Sequence, residues 1–227
     1  MPKYKDITYI LQKNDRKTGS IYVERDGRIT VLVPKRTSNA EVEEILEQKR
    51  KWIYTSLAEW EDLNAARVAR EFVNGEGFLY LGRSYRLRLV DEQDEPLALK
   101  QGYFCLCRAK NGKPENAFKN FYRDKGLAKI QERIGKYQAK MGVQIENVRV
   151  IELQNRWASC SKHGNLNFHW KCVMAPLTIL DYIIVHELAH LIHSNHSPAF
   201  WGEVEKVIPD YRERKEWLRK NGAGMTI

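Results

Sequence analysis

His186-Glu187-Leu188-Ala189-His190 sets two imidazoles four residues apart with a carboxylate beside the first, and His196 follows six residues later. On an α-helix, residues i and i+4 stand one above the other, so both imidazoles share a face and can reach one ion. Imidazole nitrogen suits Zn²⁺, and a carboxylate next to the first ligand can reach water at that metal. This is equipment for hydrolysis: His186 and His190 as ligands, and Glu187 as the general base. The surroundings strengthen the reading. Pro176 stands where a first helical residue needs no N–H, and no Gly or Pro interrupts Leu177 to Leu191. Leu180, Ile183, Ile184, Leu188 and Leu191 recur at helical steps and predict a buried stripe. Burying so many histidines in such a setting is costly unless something satisfies them.

A tetrahedral metal needs a third protein ligand. His193 lies on nearly the same face as His186, but a rise of roughly 10 Å along the helix separates them, so it is read as a supporting or substrate-facing group. Asn195 tolerates the left-handed conformation that ends helices. The chain can turn there and bring His196 back, at the offset of the third histidine in the metzincin signature, although His193 stands where that signature has Gly. Glu203 or Glu205, on the next helix, is the alternative ligand. Arg156, His193 and Tyr182 are the available donors to a developing oxyanion. Asp181 is assigned to the N-terminal region of the helix, not to the metal.

The elements that must position these groups predict an α+β fold. Ile21 to Arg25 and Arg28 to Val33 flank Asp26-Gly27, a two-residue hairpin signal. Ser38-Asn39-Ala40-Glu41 reads as a capping box opening a helix on Val42, Ile45, Leu46, Trp52, Ile53 and Leu57, running to about Asn64 with a continuation to Val68. Strands are expected at 78–82, 84–90 and 98–108. Asn111-Gly112-Lys113-Pro114 is the strongest boundary signal, giving a β-rich N-terminal region with a long helix over 1–112 and a metal-binding domain over 113–227. Beyond it, Phe118 to Met141 repeats at helical intervals, ending near Gly142. Strands follow at 147–153, 157–161 and 166–170, then the metal helix and two more helices. A strand just before the metal helix has two readings that do not exclude each other: a free edge for an extended peptide, or a simple cover for the helix by 157–161 and 165–173.

Composition narrows the class. The net charge is +9, split almost evenly between the two halves, and its densest clusters have acidic neighbours at helical spacing, as on a solvated helix face. Nucleic acid is therefore a weakly supported partner. There is no apolar run of membrane-spanning length and no signal peptide is read. The four cysteines lack zinc-knuckle spacing, and reduced thiols in a cytoplasmic protein are expected.

The run Arg156-Trp157-Ala158-Ser159-Cys160-Ser161, with Gly164, Asn167, Trp170, Ala175-Pro176, Asp181-Tyr182, His186 to His190, Asn195-His196-Ser197 and Phe200-Trp201, resembles the YgjP-like metallopeptidase family. That family belongs to the minimal zincins, which include SprT-like proteases. Trp52-Ile53, Gly75-Glu76 and Tyr80-Leu81-Gly82 fit its N-terminal part, and Ala158 departs from an expected Gly. The resemblance implies a zincin-like catalytic domain, zinc on His186, His190 and His196, Glu187 as base, and a peptide or protein substrate. Two other readings stand beside the peptidase: a metal-dependent nucleotide pyrophosphatase, and a zinc-containing binding module without turnover. Oligomeric state is not readable from the sequence.

Overall fold

A computed structural model describes residues 1–24, 26–64, 69–110, 112–153 and 156–227, without the side chains of 62–64. The expected helix continuation to Val68, Arg25 of the first hairpin and Asn111 of the boundary signal lie outside these residues. Contacts divide the chain into two compact units, Met1–Arg67 and Val68–Ile227.

The first unit contains short strands β1 (Lys3–Tyr4) and β2 (Ile7–Thr8), then β3 (Ile10–Asn14), β4 (Ser20–Val23), β5 (Ile29–Pro34) and helix α1 (Asn39–Asn64). β4 and β5 pair antiparallel, as the Asp-Gly signal predicts. The turn is longer than two residues: the Gly27 N–H donates to the Glu24 carbonyl and Gly27 takes φ 83°, the left-handed setting that glycine tolerates. β3, unread in the sequence, pairs parallel to β5; half-exposed Ile10-Leu11 gives it no alternation to see. The capping box forms, with Glu41 Oε2 accepting from the Ser38 N–H at 2.7 Å and Ser38 Oγ accepting from the Glu41 N–H at 3.3 Å. Val42, Leu46 and Ile53 bury against Ile29, Val31 and Val33, whereas Trp52, counted as apolar in the pattern, is exposed.

The second unit holds a four-stranded sheet of β6 (Gly77–Tyr80), β7 (Arg83–Val90), β8 (Leu97–Lys100) and β9 (Tyr103–Cys107), in the order β6-β7-β9-β8. The stretch expected as one strand over 98–108 is a hairpin, because Gln101 (φ 50°) and Gly102 (φ 79°) turn the chain. Leu81 (φ 49°) and Gly82 (φ 79°) make the same turn between β6 and β7, the primed geometry that matches strand twist. Helix α2 (Pro114–Met141) buries Phe118, Phe121 and Tyr122 against Phe78 and Phe104. The sheet assigned to the N-terminal region thus shares its core with the helix beyond Pro114. α2 ends at Gly142, whose φ of 65° closes the helix through a bond from its N–H to the Gln138 carbonyl.

A second sheet, β10 (Asn147–Ile151), β11 (Ala158–Cys160) and β12 (Asn165–His169), is ordered β10-β12-β11. β12, the strand leading to the metal helix, is central and has no free edge; β11 is the edge strand, and no other described strand pairs with its outer side. A 3-10 turn, Trp170–Met174, joins β12 to α3 (Leu177–Ala189), and α4 (Pro198–Val207) and α5 (Tyr211–Asn221) follow. Most residues of α3 are buried, on every side. The predicted apolar stripe is part of a helix surrounded by core. None of the helices among the described residues is long and apolar enough to cross a membrane.

Candidate metal centre

Helix α3 carries the first two histidines at its end. His190 is the C-cap residue, and its N–H donates to the Glu187 and Leu188 carbonyls. The chain then tightens: Leu191 N–H donates to the Leu188 carbonyl and Ile192 N–H to the Ala189 carbonyl. Asn195 is not among the described residues with positive φ, so these tightened turns, not a left-handed asparagine, bring His196 back. Ser197 then caps α4, its Oγ accepting from the Phe200 N–H at 3.3 Å.

The outcome is convergence. Ligand atoms of His186, His190 and His196 all lie within 4.8 Å of one another. The Nε2 atoms of His186 and His196 are 3.1 Å apart, near the separation of about 3.3 Å between two nitrogens of a tetrahedron with zinc–nitrogen bonds of about 2.0–2.1 Å. Glu203 and Glu205, the alternative ligands, are held in ion pairs with Lys206 and Arg212. His190 Nδ1 lies 3.2 Å from the His193 carbonyl. That contact fixes Nδ1 as the protonated nitrogen and leaves the Nε2 lone pair for a metal. His193 therefore joins the site through its backbone, in a supporting role. His186 Nδ1 is buried with no hydrogen-bond partner among the described residues.

Electrostatics favour ligand-ready histidines. Burial, then the fields of His190, His196 and Lys215, push the His186 imidazole down to about 3; His196 is shifted the same way by burial and by His190 and Lys215. Neutral imidazole is the form that binds a metal. The ring donors and their spacing thus fit zinc.

Glu187 is 6% exposed. Burial raises its carboxyl to about 7, against an opposing pull from Arg156, which suits a group that takes and returns a proton near neutrality. Tyr182, on α3, puts its ring 6.0 Å from that of His186, and burial raises its hydroxyl pKa. Arg156 is exposed and acts on Glu187 through its field.

Several contributors carried no readable role in the sequence. Phe200 is fully buried, with its ring 4.6 Å from that of His190 and 4.8 Å from that of His196. Trp201 stacks on His196 at 5.6 Å and on Tyr211 at 5.1 Å. Their helical placement after the Ser197-Pro198 start was the available signal. Asp181 is corrected: it accepts from Arg133 Nε at 2.6 Å and from the Tyr137 hydroxyl at 2.8 Å, tying α3 to α2. Cys160 and Cys172 sense the Glu187 carboxylate, and burial with that charge raises the Cys160 thiol to about 11 and Cys172 higher still. All four cysteines are free thiols.

A family model described as "YgjP-like, metallopeptidase domain" matches residues 17–221. Among solved structures, the chain is similar to the crystal structure of the metallopeptidase zymogen of Pyrococcus abyssi abylysin. That likeness has 29% identity and a TM-score of 0.38, covering 43% of this chain and 99% of that one. No curated protein matches the chain.

Proposed function

The chain belongs to the YgjP-like metallopeptidase family, and from that premise we propose that it is a zinc-dependent peptidase in which His186, His190 and His196 hold the metal and Glu187 is the general base. The observation that carries the reading is the convergence of three imidazoles within 4.8 Å beside a carboxyl held near neutrality by burial. Zinc bound there supplies a Lewis acid that acidifies water and polarises a carbonyl oxygen.

The chain's own groups do the rest. Glu187 accepts a proton from water and delivers it to the departing amine, which requires a carboxyl that changes state near pH 7. The His193 carbonyl orients His190, and Phe200 packs beneath the rings. An extended peptide would add to the outer edge of β11. Trp157, Ser159 and Ser161 face β12, since His169 N–H bonds the Trp157 carbonyl and Ser161 N–H bonds the Asn165 carbonyl. Strand alternation therefore turns the amides and carbonyls of Ala158 and Cys160 outward. Arg156, whose field reaches Glu187, and Tyr182, whose ring lies 6.0 Å from that of His186, would steady the developing negative charge.

The test pairs elemental analysis of purified protein with a peptide-library screen. We expect stoichiometric zinc, cleavage by the unaltered protein, and loss of cleavage with retained zinc in Glu187→Gln. Cleavage surviving that substitution would reject Glu187 as base. Release of pyrophosphate from nucleotides without any peptide cleavage would reject the substrate class.

A further inference from the structure

Helix α5 presents a row of cations next to the metal centre, and most of them are already engaged. Arg212 pairs with Glu205, Arg214 with Asp210, and Arg219 and Lys220 with Glu216. Lys215 is different. It is exposed, and among the described residues its ammonium forms no ion pair; it rests instead 4.8 Å from the centre of the Trp201 ring. That ring is stacked on His196 and lies 5.7 Å from His186. The charge is therefore carried on the aromatic side chain that backs two of the three imidazoles, and its field reaches both of them. On the Glu187 side, the exposed guanidinium of Arg156 adds a second positive field. The two charged side chains outside the histidine triad whose fields reach His186, His196 and Glu187, Lys215 and Arg156, are both cations.

We infer that Lys215 is a carboxylate-binding residue of the peptide site, selecting substrates with an acidic side chain or a free C-terminal carboxylate beside the bond to be cut. The inference rests on the peptidase reading above and adds the substrate class. An exposed ammonium already lying on an indole face costs little further ordering when it takes a carboxylate. The site's positive surroundings concentrate anions there before contact. A carboxylate fits this single point charge, since the guanidiniums of Arg212 and Arg214 on the same helix are already engaged with Glu205 and Asp210.

Binding can be measured without turnover in zinc-loaded Glu187→Gln, using fluorescein-labelled peptides that differ by Glu or Gln at one position, each with a free or an amidated C-terminus. The side-chain series and the terminal series distinguish the two carboxylate sources. We expect the acidic member to bind about three- to fivefold more tightly, the range of an exposed charge pair, and this preference to fade in high salt. Lys215→Met, which keeps the stem on Trp201, should abolish the preference at unchanged zinc content. Lys215→Arg should retain it and Lys215→Glu should invert it. Equal binding of acidic and neutral peptides, or a preference that survives Lys215→Met, overturns the inference. Cleavage by the unaltered enzyme, scored separately, keeps the two failures apart. Cleavage without acid preference removes only the role of Lys215, and acid preference without cleavage removes only the peptidase reading.

Discussion

Replacing Glu187 with Gln should stabilise the metal-free protein, and by an amount that depends on pH. The carboxyl is 6% exposed and titrates at about 7 in the folded chain against an ordinary 4.5. A raised folded-state pKa means that the folded protein holds this proton more tightly than the unfolded chain does. The resulting stability is fully present below pH 4.5 and is lost as pH rises through about 7. At about 1.4 kcal/mol per pH unit across that interval, the loss comes to about 3 kcal/mol. Gln keeps the size and hydrogen-bonding capacity but never ionises. The two proteins should therefore be of similar stability in acid, and the variant should lead by about 3 kcal/mol in mild alkali. Urea unfolding after chelation, repeated across that pH range, gives both curves. Buried His169 and His186, held at about 4 and about 3, erode stability in acid for both proteins alike, so the difference between the curves isolates Glu187. Saturating zinc should shrink the divergence, because a nearby dication favours the carboxylate. Parallel curves in the metal-free proteins would refute the claim that burial holds this carboxyl neutral.

Three further outcomes follow from the same structure. Asp181→Ala leaves the Arg133 guanidinium, 18% exposed, without its partner, and we expect a loss of about 3 kcal/mol in urea unfolding, partly recovered when Arg133 is also replaced by Met. Gly82→Ala places a methyl 2.8 Å from Pro176 Cα at φ 79°, whereas Gly102→Ala has the same φ and open space. Thermal unfolding should show about 1 kcal/mol for Gly102→Ala, the cost of the backbone conformation alone, and a clearly larger loss for Gly82→Ala. His196→Ala should weaken zinc binding by more than the roughly 10–100-fold typical of losing a supporting group, read by competition with a chromophoric chelator; affinity within tenfold of the parent would mean that another residue completes the site.

The local signals were readable where neighbours in sequence are neighbours in space. Ser38 and Glu41 form their capping box within one turn, Gly142 closes α2, and His186 and His190 share a face because a helix repeats that way. Two of the readings that changed depended on a partner far along the chain. Asp181, placed by position at a helix start, is claimed by Arg133 and Tyr137 from α2. β12 lost its expected free edge to β10, a parallel partner that no hairpin signal announces. Gln101-Gly102 is a local exception: it turned the chain within what read as one strand, since glutamine rarely takes positive φ.

What the sequence determined alone is the chemistry on offer: two imidazoles and a carboxylate in a fixed helical spacing, with a third imidazole within reach. The tertiary structure decided which groups meet and how they are charged. Leu81 and Gly82 bond to the Val173 and Met174 carbonyls ahead of α3, Trp201 stacks on His196, and the packed core strips water from Glu187. Spacing along a helix is set by covalent geometry, but proton affinity is set by solvent exclusion and by charges brought close from elsewhere, and only folding supplies those.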